Sequence, residues 1–482
     1  MVLNEDLVFK VLDIALDMGA SYAEVRYQRD EFSEVALRNG NVIGFSKDIS
    51  EGIGIRVIVD GALGFASTNI LTVGEARKAA ERAINRAKAL AKLMKDPITF
   101  SEERVGRATY NLVPKKDLSE FSVEDRIALG TEIHKLIVST VKEVKVAVTA
   151  FFIRDHIQEK FIVNSDGAYI RSYIPRLSIT TNFVLVHPQK GTLQRYISYG
   201  ASGGPELIKE WKPEDEIINE VKNLENVLMK GKEPPKDEID VVIGPEVIGL
   251  IVHESAGHPM EADRILGREA AQAGESFVKP EMIGKYRIGT ELVTIIEDPT
   301  IPGSYGYYLY DDEGVPAKPR YLYYKGIINE PLHNRHTGRI FGVGSNGAAR
   351  AMDYKSEPII RMSNTYFKPG NMRFDELIED VRLGVYIKSY MEWNIDDIRW
   401  NQRYVGLEAY IIRDGEVRED EPVRNPVLEI TTQGFYSRVT GVDKNLRFYP
   451  ATCGKGEPAQ GVPVWIGGPN VRVSRIRLGV RV

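Results

Sequence analysis

His253-Glu254-Ser255-Ala256-Gly257-His258 places two imidazoles and a carboxylate within six residues, directly after an apolar run. Neutral imidazoles are good zinc ligands, and a glutamate beside a zinc-held water can take its proton. The spacing is unusual. Each residue of an α-helix turns about 100°, so histidines four apart lie roughly 40° from one another on one face. Five apart, they diverge by about 140°, too far to share one ion on a regular helix. The neighbouring residues offer a way out. Pro259 has no N–H for the carbonyl of Ser255 and crowds it, while Gly257 tolerates unusual dihedrals. One extra residue in the turn, a π-bulge, brings His253 and His258 to the same side. The sequence therefore predicts a helix defect between Ser255 and Pro259. The rival reading is a buried helix with two incidental histidines, although the chain has only seven histidines in all.

A metal would need a third ligand. Cys453, the sole thiol, sits in the glycine-flanked stretch Ala451-Thr452-Cys453-Gly454-Lys455-Gly456. A thiolate is an excellent zinc ligand, and Lys455 would favour it; a lone cysteine also reads as a small buried hydrophobe. Glu261, Asp263, His333 and His336 are rivals for the position. Glu261 and Asp263 follow the histidines closely and are alternatively placed to orient the ring N–H groups. Other clusters are less specific. Asp311-Asp312-Glu313-Gly314 reads as a solvated turn. The glycine-rich stretch 342–350 lacks the Lys-Ser/Thr of a phosphate-binding loop. His134, His156 and His187 stand singly and read as structural.

The elements that must position these groups follow from periodicity. A helix is expected over 5–18, where Val8, Val11, Leu12 and Ala15 recur at helical spacing. Its regularly spaced charges set it apart from a signal peptide. Short strands are expected at 23–27, 34–38, 42–46, 53–59 and 62–67, with Asn39-Gly40 and Asp60-Gly61 as hairpin turns. Thr72 and Glu75 form a capping box for a helix running to about Met94. Residues 95–120 read as a linker. A helix over 123–142, strands over 144–199 and a helix over 214–229 follow. The run from Lys230 to Lys236 reads as a second linker. Ile239–Ile243 is a buried strand, and Pro245 opens the helix that carries His253. Beyond it the chain reads as mostly β. The fold class is thus α+β, in three units: a small N-terminal α+β domain (1–100), a middle α+β domain (101–232) and a larger, mostly β zinc-binding domain (233–482).

A length of 482 residues agrees with two or three domains. The net charge of −5 argues against direct nucleic-acid binding. No run of about 18 apolar residues marks a membrane span. One cysteine excludes an internal disulfide framework and suits the cytoplasm.

Taken together, His253-Glu254-x-x-x-His258, Asp311-Asp312-Glu313-Gly314, Ser345-Asn346-Gly347 with Arg350, and Cys453-Gly454-Lys455-Gly456 resemble the TldD branch of the TldD/PmbA zinc metallopeptidases. Glu51-Gly52-Ile53-Gly54-Ile55-Arg56-Val57 before Asp60-Gly61 matches as well, so the resemblance spans essentially the whole chain. It implies zinc held by His253, His258 and Cys453, with Glu254 catalytic. It also implies small or unfolded peptides as substrates, and a dimer, either of identical chains or with an inactive PmbA/TldE-like homologue. The expected chemistry is hydrolysis through a zinc-bound water, with Glu254 as general base. Tyr305, Tyr307 and Arg350 are candidates for stabilising the oxyanion, and the substrate is expected to add as a strand to a sheet edge. The competing function is a non-catalytic peptide- or partner-binding protein with a structural zinc.

Overall fold

A computed structural model describes residues 5–269 and 274–480. The chain opens with α1 (Glu5–Asp17), which buries Leu7, Val8, Val11, Leu12 and Ala15. β1 (Tyr22–Arg38) and β2 (Asn41–Val59) form a long antiparallel hairpin. Its turn, Asn39-Gly40, has φ of 50° and 75°, the paired positive values that match strand twist in a two-residue turn. Asp60-Gly61 leads in the same way into β3 (Ala62–Thr68). α2 (Val73–Ala91) starts where Thr72 accepts the N–H of Glu75, and it lays a face of buried alanines on the sheet.

The expected short strands are thus continuous ones. Polar Asp30 and Ser33 interrupt the apolar alternation of β1, yet β1 pairs along its length with both β2 and β5 (Lys145–Asn164). Buried Asp30 is satisfied by His156, Gln158 and Gln28, so the strand carries it at no loss of pairing. Within the expected linker, β4 (Arg107–Asn111) pairs in parallel with β6 (Tyr169–His187). β7 (Gly191–Ser202) pairs with the later part of β6. The result is one seven-stranded sheet, β3-β2-β1-β5-β6 with β4 and β7 both on β6. Strands from the expected units 1–100 and 101–232 therefore share a sheet. α1 and α2 cover one region of it. α3 (Val123–Thr140) and α5 (Pro213–Lys230), the latter preceded by the short α4 (Glu206–Trp211), cover another.

The remainder contains two six-stranded sheets, a four-stranded and a two-stranded one, and a large apolar core. β8 (Ile239–Ile243) runs in the first sheet between Leu383–Ile387 and Val471–Ile476. It leads directly into α6 (Pro245–Val252). α6 crosses the second sheet at the hairpin of Arg447–Lys455 and Gln460–Gly468, called the C-terminal hairpin below. A Cβ on Gly249 would stand 2.8 Å from the backbone nitrogen of Gly467, so only glycine lets helix and strand approach this closely. No helix among the described residues is long and apolar enough to cross a membrane.

The acidic run 311–313 joins the two parts of the molecule and is not a solvated turn. Asp311, Asp312 and Glu313 are at most 3% exposed. Arg56 of β2 pairs with Glu24 at 2.7 Å and with Glu313 at 2.9 Å, all buried. Lys160 of β5 donates to both oxygens of Asp312 at 2.8 Å. Burial opposes ionisation of Asp312, but Lys160 and Arg26 outweigh it and hold the carboxyl below its ordinary range. Among the described residues Asp311 has no such cation; burial and Glu313 push it well up, and it accepts backbone N–H groups of Glu313, Val315 and Ala349. Breaking one partner of a buried ion pair costs about 3–5 kcal/mol because the other is left unpaired. Arg56→Met is expected to lower stability by about that amount, read from the urea midpoint. A shift below about 1 kcal/mol, the scale of a surface pair, would contradict a buried structural role.

Candidate metal centre

The sequence breaks α6 where the spacing requires it. His253–Gly257 forms a π-turn, and the N–H of His258 donates to the carbonyl of His253. This i→i+5 bond stacks residue 258 over residue 253. The chain then tightens into a 3₁₀ turn, His258–Met260. Pro259 leaves the carbonyl of Ser255 without its helical donor, and the hydroxyl of Tyr323 takes that place at 2.9 Å. The Ser255 hydroxyl donates to Ile251 O at 2.6 Å and meets the Tyr436 hydroxyl at 2.8 Å. Gly257 is needed for space: a Cβ there would stand 2.0 Å from the sulfur of Met362.

The bulge brings the two imidazoles together, ring centres 4.9 Å apart and planes at 81°. The C-terminal hairpin supplies the third group. Cys453 Sγ lies 3.6 Å from His258 Nε2. Donor atoms of His253, His258 and Cys453 all lie within 4.8 Å of one another, and all three residues are buried. The Nδ1 of His253 is buried with no hydrogen-bond partner among the described residues, as a nitrogen kept for a ligand would be. Two imidazole nitrogens and a thiol form the donor set preferred by a borderline-soft ion such as zinc. The residues present therefore fit that metal.

Protonation agrees with this. Burial and the nearby Arg399 bring His258 down to about 4, and burial also lowers His253. Both rings are thus neutral at ordinary pH, as ligands must be. Burial works against ionisation of Cys453, but its hydrogen-bond contact with His258 and the charge of Arg361 outweigh it and bring the thiol down to about 7. Lys455 is not the cause: its ammonium is buried and donates to Asp263 at 2.7 and 2.8 Å and to Ile360 O.

The rivals of Cys453 have other tasks. Glu261 accepts from His258 Nδ1 at 2.9 Å and from Arg264 at 2.6 Å. Burial disfavours its charge, yet Lys455, Arg264 and His258 hold it well below the carboxylate range. It thereby fixes the His258 ring with Nε2 toward the thiol. Asp263 neutralises Lys455. His333 bonds Thr337, and His336 bonds Arg268 and Thr99.

Glu254 follows His253 and is 5% exposed. Its carboxylate pairs with Arg399, a residue that the sequence did not single out. Arg399 has a φ of 65°, uncommon outside glycine. The turn is held by Asp396, which accepts the N–H groups of Trp400 and Asn401. Nothing local marks Arg399, which lies 145 positions from Glu254. Tyr305, Tyr307 and Arg350 are not at this centre. They line a cavity whose walls include Thr452 but none of His253, Glu254, His258 and Cys453. The C-terminal hairpin reaches both places: Ala451, Thr452, Val462 and Pro463 line that cavity, and Cys453 between them carries the third donor.

Family models of the PmbA/TldA metallopeptidases match in three parts: domain 1 over residues 23–91, the central domain over 116–228 and the C-terminal domain over 236–480. A metalloprotease of Methanothermobacter thermautotrophicus is 30% identical over 99% of this chain and 100% of its own length. The zinc metalloprotease TldD homolog of Saccharolobus solfataricus is 28% identical over 98% of this chain and 99% of its own. Among solved structures, TldE from Thermococcus kodakarensis superposes with a TM-score of 0.77 at 16% identity, covering 98% of this chain and 99% of that one. A proposed modulator of a DNA gyrase from Thermotoga maritima gives a TM-score of 0.78 at 17% identity, covering 99% and 100%. At such identity these two structures speak for the fold alone. Sequence, family models and fold coincide along the chain, which belongs to the TldD/PmbA family of metallopeptidases.

Proposed function

We propose that this peptidase is zinc-dependent, with His253, His258 and Cys453 as ligands and Glu254 as the group that moves the proton. One observation carries the reading: three donor atoms of suitable chemistry converge within 4.8 Å directly beside a buried glutamate. Zinc held there would supply Lewis acidity, polarising a carbonyl and acidifying water. Glu254 takes the proton of the attacking water and passes it to the departing amine. Arg399 orients the Glu254 carboxylate through their ion pair. Glu261 keeps the His258 ring in its ligating orientation. A closed structural site would require a fourth protein ligand. Glu254 is held by Arg399, and the next acids in sequence, Glu261 and Asp263, are engaged by His258, Arg264 and Lys455, which favours catalysis over a structural zinc.

The substrates in this reading are small or unfolded peptides, bound through their backbones. In this reading the chain works as a dimer, of identical subunits or with a TldE-like homologue. A lone unpaired thiol is compatible with the cytoplasm.

Glu254→Gln is expected to retain zinc and to lose turnover by about 10²–10⁴-fold. Metal analysis with mass-spectrometric peptide cleavage checks this, and full activity in the variant would contradict the assignment. Cys453→Ser is expected to lower zinc occupancy; unchanged metal content would remove Cys453 from the site. Zinc uptake also depends on pH. The thiol titrates at about 7 and His258 at about 4, so a proton must leave Cys453 when zinc binds below about pH 7. Apparent affinity should therefore fall about tenfold per unit as pH drops below that point. A flat profile in a competition titration between about pH 5 and 7 would exclude the thiolate from the ligand set.

A further inference from the structure

The cavity beside the C-terminal hairpin, lined by none of the three donors, has a volume of about 400 Å³, within the range of small-molecule sites. β5, β6 and β7 form one wall, and Tyr305, Tyr307, Arg350 and Thr452 contribute to the other. Two arginines set its character. Arg176, on β6, is 2% exposed. Its Nε donates to Tyr305 O at 3.0 Å, and its Nη1 is buried with no partner at all. Arg350 is 7% exposed; it donates only to the backbone carbonyls of Met362 and Pro463 and lies 5.3 Å from the Tyr308 ring centre.

Among the described residues, neither arginine has an ion-pair partner within 4.0 Å, whereas the other charges on the wall are matched. Lys160 holds Asp312, Arg126 holds Asp155, Glu34 holds Arg154, and His156 meets Asp30. Asp30, Asp312 and Glu297, the acids whose fields reach the two arginines, are all already engaged, Glu297 by Arg320. Asp311 lies on the same wall, but burial pushes its carboxyl well up and favours the neutral form. Burial and the neighbouring Arg350 bring Arg176 down to about 10, so it remains a cation at ordinary pH. A buried charge without a counter-charge is strongly disfavoured. A guanidinium fork matches carboxylate and phosphate oxygens in the same plane.

We propose that this cavity binds an oxyanion, a carboxylate or phosphate group carried on a small ligand, at Arg176 and Arg350. The tyrosine hydroxyls and Ser172 and Ser178 on the same walls would receive the polar remainder of the ligand. None of its lining residues is a proposed metal ligand, and the proposal does not depend on the peptidase reading. The cavity nevertheless shares a strand with the metal centre, because Thr452 on the cavity wall precedes Cys453.

Calorimetry on the full-length chain in a Glu254→Gln background, where turnover does not intrude, tests this. The probes are inorganic phosphate, an N-acetylated tripeptide with a free C-terminus, and the same tripeptide amidated. Saturable binding of phosphate or of the free-acid tripeptide is expected, weakened at least about tenfold by Arg176→Met. Binding of the free acid but not the amide would identify the oxyanion as a peptide carboxylate; binding of phosphate alone would identify a phosphate ligand. Ser178→Asp places a carboxylate two residues along the same face of β6. It is expected to raise Tm and abolish binding of either probe, a result that needs no loss of arginine. Absence of saturable binding by both probes, or binding unchanged in folded Arg176→Met and Ser178→Asp proteins, would overturn the proposal.

Discussion

The hydrogen bond from the His258 N–H to the His253 carbonyl is the contact on which the centre depends. With ordinary i→i+4 bonding the two rings would diverge by about 140°. With the π-turn they meet at 4.9 Å between ring centres. The wider turn is sustained from three directions. Pro259 denies the regular helix its donor, Tyr323 satisfies the carbonyl thereby released, and Gly257 admits Met362. Such a turn is a local cost offset by tertiary contacts, which is why the surrounding residues are large, buried and hydrogen-bonded to Ser255.

The bulge would be without consequence if the thiol did not reach it. α6 lies against the strand Gln460–Gly468 at glycine-to-glycine distance, and Cys453 faces inward from the partner strand of the hairpin. Arg361 ties the Cys453 carbonyl to the core from behind. A sequence separation of 195 residues between His258 and Cys453 is thus closed by backbone packing. The same logic holds the larger parts of the molecule together. Arg26, Arg56 and Lys160 from the N-terminal sheet meet Asp312 and Glu313 from the C-terminal unit, away from water.

Much of the local structure was legible in the sequence. Thr72 with Glu75, Asn39-Gly40 and Asp60-Gly61 marked real element boundaries because each acts through its own backbone. Gly257 and Pro259 indicated the helix defect for the same reason. What was hidden depended on distant partners. β1 looked interrupted because two of the three groups that satisfy Asp30, His156 and Gln158, lie in β5, more than a hundred residues on. The acidic run 311–313 looked solvated because its cations come from β1, β2 and β5. Arg399 carried no local signal, and the two parts expected at 1–100 and 101–232 share a sheet that only strand pairing reveals.

X-ray absorption at the zinc edge of the zinc-loaded protein tests the central claim most directly. If the π-turn and the hairpin build one centre, the spectrum will contain one sulfur neighbour at about 2.3 Å, with nitrogen neighbours at about 2.0–2.1 Å. A spectrum with no sulfur neighbour, or with more than one, would contradict the joining of His253, His258 and Cys453 around a single ion.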